Sequence, residues 1–447
     1  MSLLAHLLAE VERQPYVLRR GRVSAFNGLV IEADGPDAGV GEVCEIVSGR
    51  LQEHVRAQVV GLKNGRTLLL PYDGVVGLSV GDEVRATGRT LDVPVGVEML
   101  GRVVDAFSQP LDGLGAIRED VRYPLHAAPP NPLHRQEIDH VLETGVRVVD
   151  ALLTLGRGQR IGIFAGSGVG KSSLLGMLAR NVQADVVVLA LIGERGREVG
   201  DFVRQSLGAE GLQRSVVVAA TADQPALVRT HAVHAAHAIA EFFRDQGKSV
   251  LLVVDSITRF AMAQREIGLA VGEPPTFRGY TPSVFSWLPK IAERCGNHGR
   301  GSITAIYSVL VEGDDFNEPV TDHMRAILDG HIVLDRELAA RGHYPAINVL
   351  GSVSRLIGRL ASEDELSLAA QVRRSLALYE ASRDMIELGA HQRGVNVELD
   401  QAVDVWPMLE RVLRQPAQTV SSRPEALEHF AAALRPASSR AEAGHAR

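Results

Sequence analysis

Cysteine and aromatic residues are scarce in this chain of 447 residues. The two cysteines, Cys44 and Cys295, are far apart and lack metal-ligand spacing, so we expect two buried thiols rather than a disulfide or a zinc site. Aromatic residues make up 4% of the chain, which leaves few residues for the stacking platforms of RNA-binding proteins. The net charge of −7 also disfavours a nucleic-acid partner.

Long apolar runs are absent as well. No segment reaches the ~18 apolar residues that a membrane-spanning helix needs. The N-terminus lacks the basic, apolar and small-residue order of a secretory signal peptide. We therefore expect a cytoplasmic protein that does not enter the membrane, and its length corresponds to about three domains.

Three parts with different patterns follow one another along the chain. Residues 1–92 combine an amphipathic helix at 1–13 with short β-rich runs separated by turns, which predicts a small β-barrel. The helix either docks a partner or packs on its own domain. The barrel pattern is also that of oligonucleotide-binding folds, but this part has no run of aromatic or basic residues.

The other two parts predict an α/β core and a helical domain. Within residues 93–360, β-branched runs alternate with helical stretches after a proline-rich crossing at 129–132, which predicts a parallel sheet covered on both faces. Residues 361–447 predict a C-terminal helical domain. It opens with a capping box at Ser362 and Glu365 and ends in a disordered tail from Pro436.

The strongest signal is a glycine-rich loop between an apolar run at 161–165 and a helical stretch. Such a P-loop turns its backbone N–H groups onto phosphates at a helix N-terminus. Lys171 would neutralise the β- and γ-phosphates, and the Ser172 hydroxyl would ligate Mg²⁺. The residues that we expect to bind the nucleotide here are Gly166, Ser167, Gly168, Val169, Gly170, Lys171, Ser172 and Ser173.

Two carboxylates follow other apolar runs. Asp255 ends the run at 249–254 and is predicted to hold the Mg²⁺ water shell. Many nucleotide hydrolases place a glutamate directly after this aspartate, but here the position is Ser256. The candidate base is Glu194, after the run at 186–192, because the carboxyl ends of parallel strands open onto one crevice. A solvated charged loop is the alternative interpretation of Glu194.

The segment at 162–172, which contains the P-loop, and the segment Gly193-Glu194-Arg195-Gly196-Arg197-Glu198 resemble the corresponding segments of the flagellar and type III secretion ATPases. These are relatives of the catalytic subunits of rotary ATP synthases. The resemblance covers nearly the whole chain and is strongest from about residue 129 to 355. It implies a P-loop core with an F1-like parallel sheet, an N-terminal β-barrel and a C-terminal helical domain, with ATP and Mg²⁺ as ligands. The amino-acid sequence of the P-loop is more similar to that of the flagellar members than to that of the virulence members.

The resemblance also implies roles for single residues. Glu194 corresponds to the catalytic glutamate, and Arg195 to the arginine beside it. Arg259 matches an arginine near the phosphates, and Tyr344 matches the aromatic residue that packs on adenine. Arg355 matches the arginine finger that reaches a neighbouring subunit's nucleotide. From the sequence alone, Tyr344 would be a core residue and Arg355 an ordinary surface arginine.

The implied assembly is a homohexameric ring that couples ATP hydrolysis to export of flagellar proteins. Its implied partners are a stator or regulator protein at the N-terminal helix and a coiled-coil stalk that touches the loop at 272–279. Further implied partners are the export gate and chaperone–substrate complexes. Through them the protein would reach the cytoplasmic face of the inner membrane.

Three alternatives stay open at this point. A virulence secretion ATPase differs only in its client system. A non-catalytic ring subunit would keep the P-loop but lose the water-positioning glutamate, whereas Glu194 is present. A hexameric RNA helicase also carries an N-terminal barrel, but the net charge and the few aromatic residues disfavour it. His391 stands where flagellar relatives usually carry tyrosine, and we assign it no role.

Overall fold

The first part of the chain forms a closed, antiparallel six-stranded β-barrel. The computed structural model describes residues 18–49, 54–311, 313 and 315–435, so the predicted helix at 1–13 and the tail from Pro436 lie outside the described residues. The barrel order is β1-β2-β5-β4-β3-β6, with β1 paired to β6. The strands are β1 (Arg20–Asn27), β2 (Val30–Asp34), β3 (Glu42–Val47), β4 (His54–Lys63), β5 (Arg66–Pro71) and β6 (Glu83–Thr90).

The predicted barrel is thus confirmed, and alternating apolar residues fill it. Ile31, Cys44 and Ile46 are fully buried inside. The β-rich runs of the sequence, at 22–24, 29–31, 43–47, 55–60 and 67–70, correspond to five of the six strands. Strand β6 is not among them because arginine and threonine interrupt its apolar alternation. Both cysteines are free and buried, as expected.

The core of the molecule is a mixed sheet in the order β19-β18-β12-β17-β15-β13-β14-β8, with β16 paired to β17. From β18 to β8 the neighbouring strands are parallel, whereas β19 and β16 run antiparallel. Its strands are β8 (Val103–Val104), β12 (Arg160–Ala165), β13 (Val186–Ile192), β14 (Ser215–Ala220), β15 (Ser249–Asp255), β16 (Gly296–His298), β17 (Gly301–Leu310), β18 (Gly330–Leu334) and β19 (Ile347–Ser354). Two small antiparallel pairs lie beside it, formed by β7 (Asp92–Val95) with β9 (Val121–Pro124) and by β10 (Val141–Leu142) with β11 (Leu155–Gly156).

Helices cover both faces of this sheet, which is why its central strands are apolar on both sides. The helices up to the end of the core are α1 (Arg147–Leu152), α2 (Lys171–Asn181), α3 (Gly196–Asp201), α4 (Gly208–Gln213), α5 (Ala226–Asp245), α6 (Ile257–Val271), α7 (Pro282–Ala292), α8 (Pro319–Ile327), α9 (Arg336–Ala340) and α10 (Ile357–Leu360). A π-helical turn at Phe202–Leu207 joins α3 to α4. Short 3₁₀ turns occupy Val97–Met99, Pro132–His134 and Phe277–Gly279.

The last part of the described chain is helical, as predicted. It contains α11 (Glu363–Ala381), α12 (Arg383–Glu387), α13 (Val397–Leu413) and α14 (Arg423–Ala433). Capping boxes begin α11 at Ser362 and α14 at Ser422, where a reciprocal side-chain and backbone pairing satisfies free N–H groups. Tyr379 of α11 stacks on Trp406 of α13, with ring centroids 3.9 Å apart.

A buried ion pair joins the segment after α7 to α5. Arg294, which is 2% exposed, donates two hydrogen bonds of 2.8 Å to the carboxylate of Glu241 on α5. Its third nitrogen donates to the Leu125 carbonyl at 2.8 Å. Nearby, His231 on α5 lies 3.1 Å from Gln58 of the barrel. The guanidinium is therefore balanced entirely within the protein.

Glu241→Ala tests this network. The substitution leaves a buried guanidinium without its counter-charge. We therefore expect the free energy of unfolding to fall by about 3–5 kcal/mol and the melting temperature by roughly 6–20 °C. The matched control is Glu337→Ala, since Glu337 pairs with Arg341 at 3.2 Å while 81% of its side chain is exposed. Calorimetry should show a shift of at most about 2 °C for the control. Equal shifts for the two variants would contradict the assigned importance of the buried pair.

Candidate active site

The P-loop leaves the buried strand β12 at Ala165 and leads directly into α2. Gly168 and Gly170 have φ values of +79° and +89°, a region that side chains disfavour. A Cβ on Gly170 would also lie 3.1 Å from the ring of Tyr344. Glycine is therefore required at Gly170 both by the turn and by the neighbouring ring.

The loop forms one wall of a cavity of about 600 Å³. Val169 differs from its neighbours because the residue is 2% exposed and its side chain packs in the core. It can meet a ligand only through its backbone. The other predicted nucleotide-binding residues of the loop line the cavity, namely Gly166, Ser167, Gly168, Gly170, Lys171, Ser172 and Ser173.

Lys171 lies at the centre of a charged cluster at the carboxyl ends of the strands. Its ammonium donates a hydrogen bond to Asp255 Oδ1 and lies 3.8 Å from Glu194 Oε1. Asp255 is 3% exposed. The structure thus brings together the three side chains that the sequence analysis derived from separate strands.

Glu194 is partly buried beside the P-loop, and the pKa of its carboxyl is close to neutral pH. Burial raises the pKa of Glu194 to about 7, helped by a hydrogen bond with Glu198 and by the charge of Asp255, while Lys171 acts in the opposite direction. A carboxyl with such a pKa can accept a proton at neutral pH, which suits a general base. Glu198 was not predicted as a site residue, although its spacing of four residues from Glu194 is a signal.

The two arginines predicted for the site, Arg259 near the phosphates and Arg195 beside the catalytic glutamate, differ in exposure. Arg259 lines the same cavity, and its stem lies so close to Gly193 that a Cβ there would approach within 3.0 Å. Its Nε is buried without a hydrogen-bond partner among the described residues, so it has a free donor for an anion. Arg195 also lines this cavity, but its side chain is 85% exposed and lies 3.6 Å from Glu198.

Tyr344 lies beside the P-loop and is 45% exposed, so it is not a core residue. Its carbonyl accepts a hydrogen bond of 2.9 Å from the Gln415 N–H, which ties this loop to the segment after α13. An exposed ring next to the phosphate loop is suitably placed to stack on a base. Its contact with adenine remains a prediction.

Arg355 lies at the opposite edge of the sheet from the P-loop. Ser354 pairs with Gly330 at the start of β18, next to the amino end of β12. The exposed Arg355 side chain donates to the Arg325 carbonyl at 3.0 Å. At about 3.3 Å per residue, the length of β12 places it roughly 15–20 Å from its own P-loop. Arg355 therefore does not complete the site of its own chain.

The hard oxygen donors of the site are suited to Mg²⁺. The Ser172 hydroxyl and the Asp255 carboxylate line a smaller adjoining cavity of about 190 Å³. Mg²⁺ with a nucleotide needs only one or two protein groups besides phosphates and waters. No cluster of three or more histidine, cysteine or acidic residues forms a metal site in the described parts of the chain.

Two further sequence features lie away from this cavity. In the acidic segment at 312–318, residues 312 and 314 lie outside the described residues. Asp315 forms an ion pair of 2.5 Å with Arg278 in the loop at 272–279. His391 Nε2 lies 2.9 Å from Asp400 Oδ1 in the C-terminal helical domain.

No helix that the structure describes has both the length and the apolar character needed to cross a bilayer.

Comparisons with known proteins agree with this architecture along the chain. Residues 145–354 match the nucleotide-binding domain of the ATP synthase alpha/beta family, and residues 23–88 match the β-barrel domain of that family. Residues 361–432 match the T3SS EscN ATPase C-terminal domain.

Individual relatives are similar over almost their entire length. A flagellum-specific ATP synthase of Treponema pallidum is 54% identical, covering 92% of this chain and 91% of the relative. A type 3 secretion system ATPase of Xanthomonas euvesicatoria is 48% identical over 92% and 93% of the two chains.

Solved structures of the assembled ATPase EscN, from the enteropathogenic E. coli type III secretion system, share the fold. EscN is 42% identical and superposes with a TM-score of 0.88, covering 93% of this chain and 100% of EscN. The structure of EscN in complex with its central stalk EscO superposes with a TM-score of 0.86 at 41% identity and the same coverage. This chain is an ATP-hydrolysing enzyme that belongs to the family of flagellar and type III secretion ATPases.

Proposed function

We propose that this enzyme supports protein export by a flagellar type III apparatus and that its ATP is hydrolysed between subunits of a homohexameric ring. The observation that carries this proposal is the position of Arg355. The P-loop, Asp255 and Glu194 meet at one edge of the sheet, whereas the candidate arginine finger lies at the other. A second copy of the chain is needed to bring these two edges together.

Within one subunit, each part of the ATP has a proposed partner. The P-loop N–H groups and Lys171 hold the phosphates, and Tyr344 stacks on adenine. Ser172 and Asp255 would hold Mg²⁺, which neutralises phosphate charge when it is bound. Arg259 and Arg195, which both line the cavity, would supply positive charge to the phosphates.

The proposed chemical step uses Glu194 as the base. A water oxygen attacks the γ-phosphorus, the bond to the β–γ bridging oxygen breaks, and the water proton passes to the Glu194 carboxylate. Arg355 of the neighbouring copy stabilises the charge that develops on the γ-phosphate. Such fingers typically contribute about 10³–10⁵ in rate, so an isolated subunit should be a poor ATPase.

The proposed partners follow from relatives and from exposed surfaces. EscN assembles and binds a central stalk, and we transfer both properties to this chain. The loop at 272–279 would touch the stalk, since Phe277 is 68% exposed there. A stator or regulator protein at residues 1–13, the export gate and chaperone–substrate complexes are the other proposed partners. Through them the cytoplasmic enzyme would reach the inner membrane.

We further propose three domains, namely residues 1–92, 93–360 and 361–447. A virulence secretion machine is the second candidate client, because a type 3 secretion ATPase is almost as similar as the flagellar relative. Glu194 beside Lys171 disfavours a non-catalytic subunit. The net charge of −7 disfavours an RNA helicase.

The pH dependence of ATP hydrolysis tests Glu194 as the base. The carboxylate form is active, so kcat/KM should rise with pH and level off above a midpoint near 7, the pKa of Glu194. In Glu198→Ala the midpoint should move to lower pH, because Glu198 helps to raise that pKa. Glu210→Ala, an exposed acidic position on α4, is the control and should keep the wild-type midpoint. An unchanged midpoint in Glu198→Ala would contradict the coupling.

Glu194→Gln at the native locus tests the client system. The variant should bind ATP but lose about 10²–10⁴ in turnover, because amide nitrogen and oxygen cannot take the proton. With stable mutant protein, we expect no filaments and no secreted filament protein. Normal filaments with loss of other secreted proteins would assign the enzyme to a virulence machine instead. Full turnover in vitro would remove Glu194 as the base.

A further inference from the structure

A buried serine interrupts the apolar strand β17 next to Asp255 of the nucleotide site. Ser308 is fully buried, between Tyr307 and Val309, which are equally buried. Burying a hydroxyl is unfavourable unless it is hydrogen-bonded. An alanine or valine would continue the strand equally well, so the serine calls for a reason other than packing.

The register of the sheet places Ser308 beside Asp255. Val254 of β15 is paired with Tyr307 of β17, so the next residues on these parallel strands, Asp255 and Ser308, stand side by side. On the other side Ser308 is paired with Ile163 of β12, two residues before β12 ends at Ala165 and the P-loop begins. The hydroxyl is thus delivered by backbone pairing rather than by a flexible loop.

The Ser308 hydroxyl donates a hydrogen bond of 2.8 Å to Asp255 Oδ1. The same oxygen accepts a hydrogen bond from the Lys171 ammonium. Two donors on one oxygen, one of them from a rigid strand, fix the plane of the carboxylate. The orientation of the other carboxylate oxygen, Oδ2, is thereby fixed as well.

We propose that Ser308 is a positioning residue that orients the Asp255 carboxylate toward the water shell of Mg²⁺ bound with ATP. This inference rests on the proposed function, in which Asp255 is the metal-holding carboxylate. Groups that orient metal ligands from behind typically affect metal affinity or activity by about 10–100-fold. A serine that only fills space would have no such effect on the metal.

The test compares the affinity for a fluorescent ATP analogue with excess Mg²⁺ and with EDTA, by equilibrium titration of the full chain. The ratio of the two affinities measures what the metal adds to binding. In Ser308→Ala this ratio should fall roughly tenfold, while binding in EDTA stays within about twofold of wild type. Ser308→Thr, which keeps the hydroxyl, should restore most of the ratio.

Ser302→Ala is the matched control. Ser302 lies on the same strand and donates to the Ser249 hydroxyl at 3.4 Å, at the end away from the P-loop, so its ratio should equal that of the wild type. Melting temperatures establish that each variant is folded. If Ser308→Ala is not, Ser308→Cys carries the same comparison, because a thiol is a weak donor that fills a similar space.

Asp255→Asn separates failure of this inference from failure of the proposed site. A ratio of the affinities with Mg²⁺ and with EDTA that falls in Asp255→Asn but stays at the wild-type value in folded Ser308→Ala would overturn only the role of Ser308. Equal losses with Mg²⁺ and with EDTA in Ser308→Ala would overturn it as well, since they indicate a purely structural effect. A wild-type ratio in Asp255→Asn would contradict the metal site of the proposed function.

Discussion

Parallel pairing of β12, β17, β15 and β13 is the constraint on which the site depends. These strands end side by side at Ala165, Leu310, Asp255 and Ile192, so the segments that follow them share one crevice. Three of the strand ends supply the P-loop, the buried aspartate and the segment with Glu194. The apolar, two-sided burial of the strands therefore does more than stabilise the core, because it sets the distances between charged groups that no local interaction would hold together.

The same sheet also separates Arg355 from the P-loop, two groups that the proposed mechanism combines. Arg355 follows β19, which runs antiparallel to β18 and so returns the chain to the amino edge. A rigid sheet cannot fold this edge onto its own carboxyl edge. If catalysis uses both edges, as we propose, it is linked to assembly, and the free subunit would keep a nucleotide-binding site without the arginine finger. The proposed activation by a partner subunit would therefore follow from the order and direction of the strands.

Much of this arrangement was predictable from the sequence because it depends on strong local signals. The glycines of the P-loop and the buried runs before Asp255 and Glu194 predict both the strands and their common edge. Ser308 was not predictable, since its partner is 53 residues away and only the register brings them together. The exposure of Arg195 and the burial of Val169 likewise depend on the packing of whole elements. The strands β6, β18 and β19 lack long apolar alternation, and tertiary pairing decides them.

Mixing two inactive variants tests catalysis between subunits most directly. Lys171→Ala removes the phosphate site and Arg355→Ala removes the finger, so each variant alone should hydrolyse ATP very slowly. In rings mixed at equal amounts, about a quarter of the interfaces combine an intact site with an intact finger. We predict that the mixture hydrolyses ATP well above either parent, at up to about that fraction of the wild-type rate. Mixed rings, verified by size-exclusion chromatography, that are no more active than their parents would contradict the account.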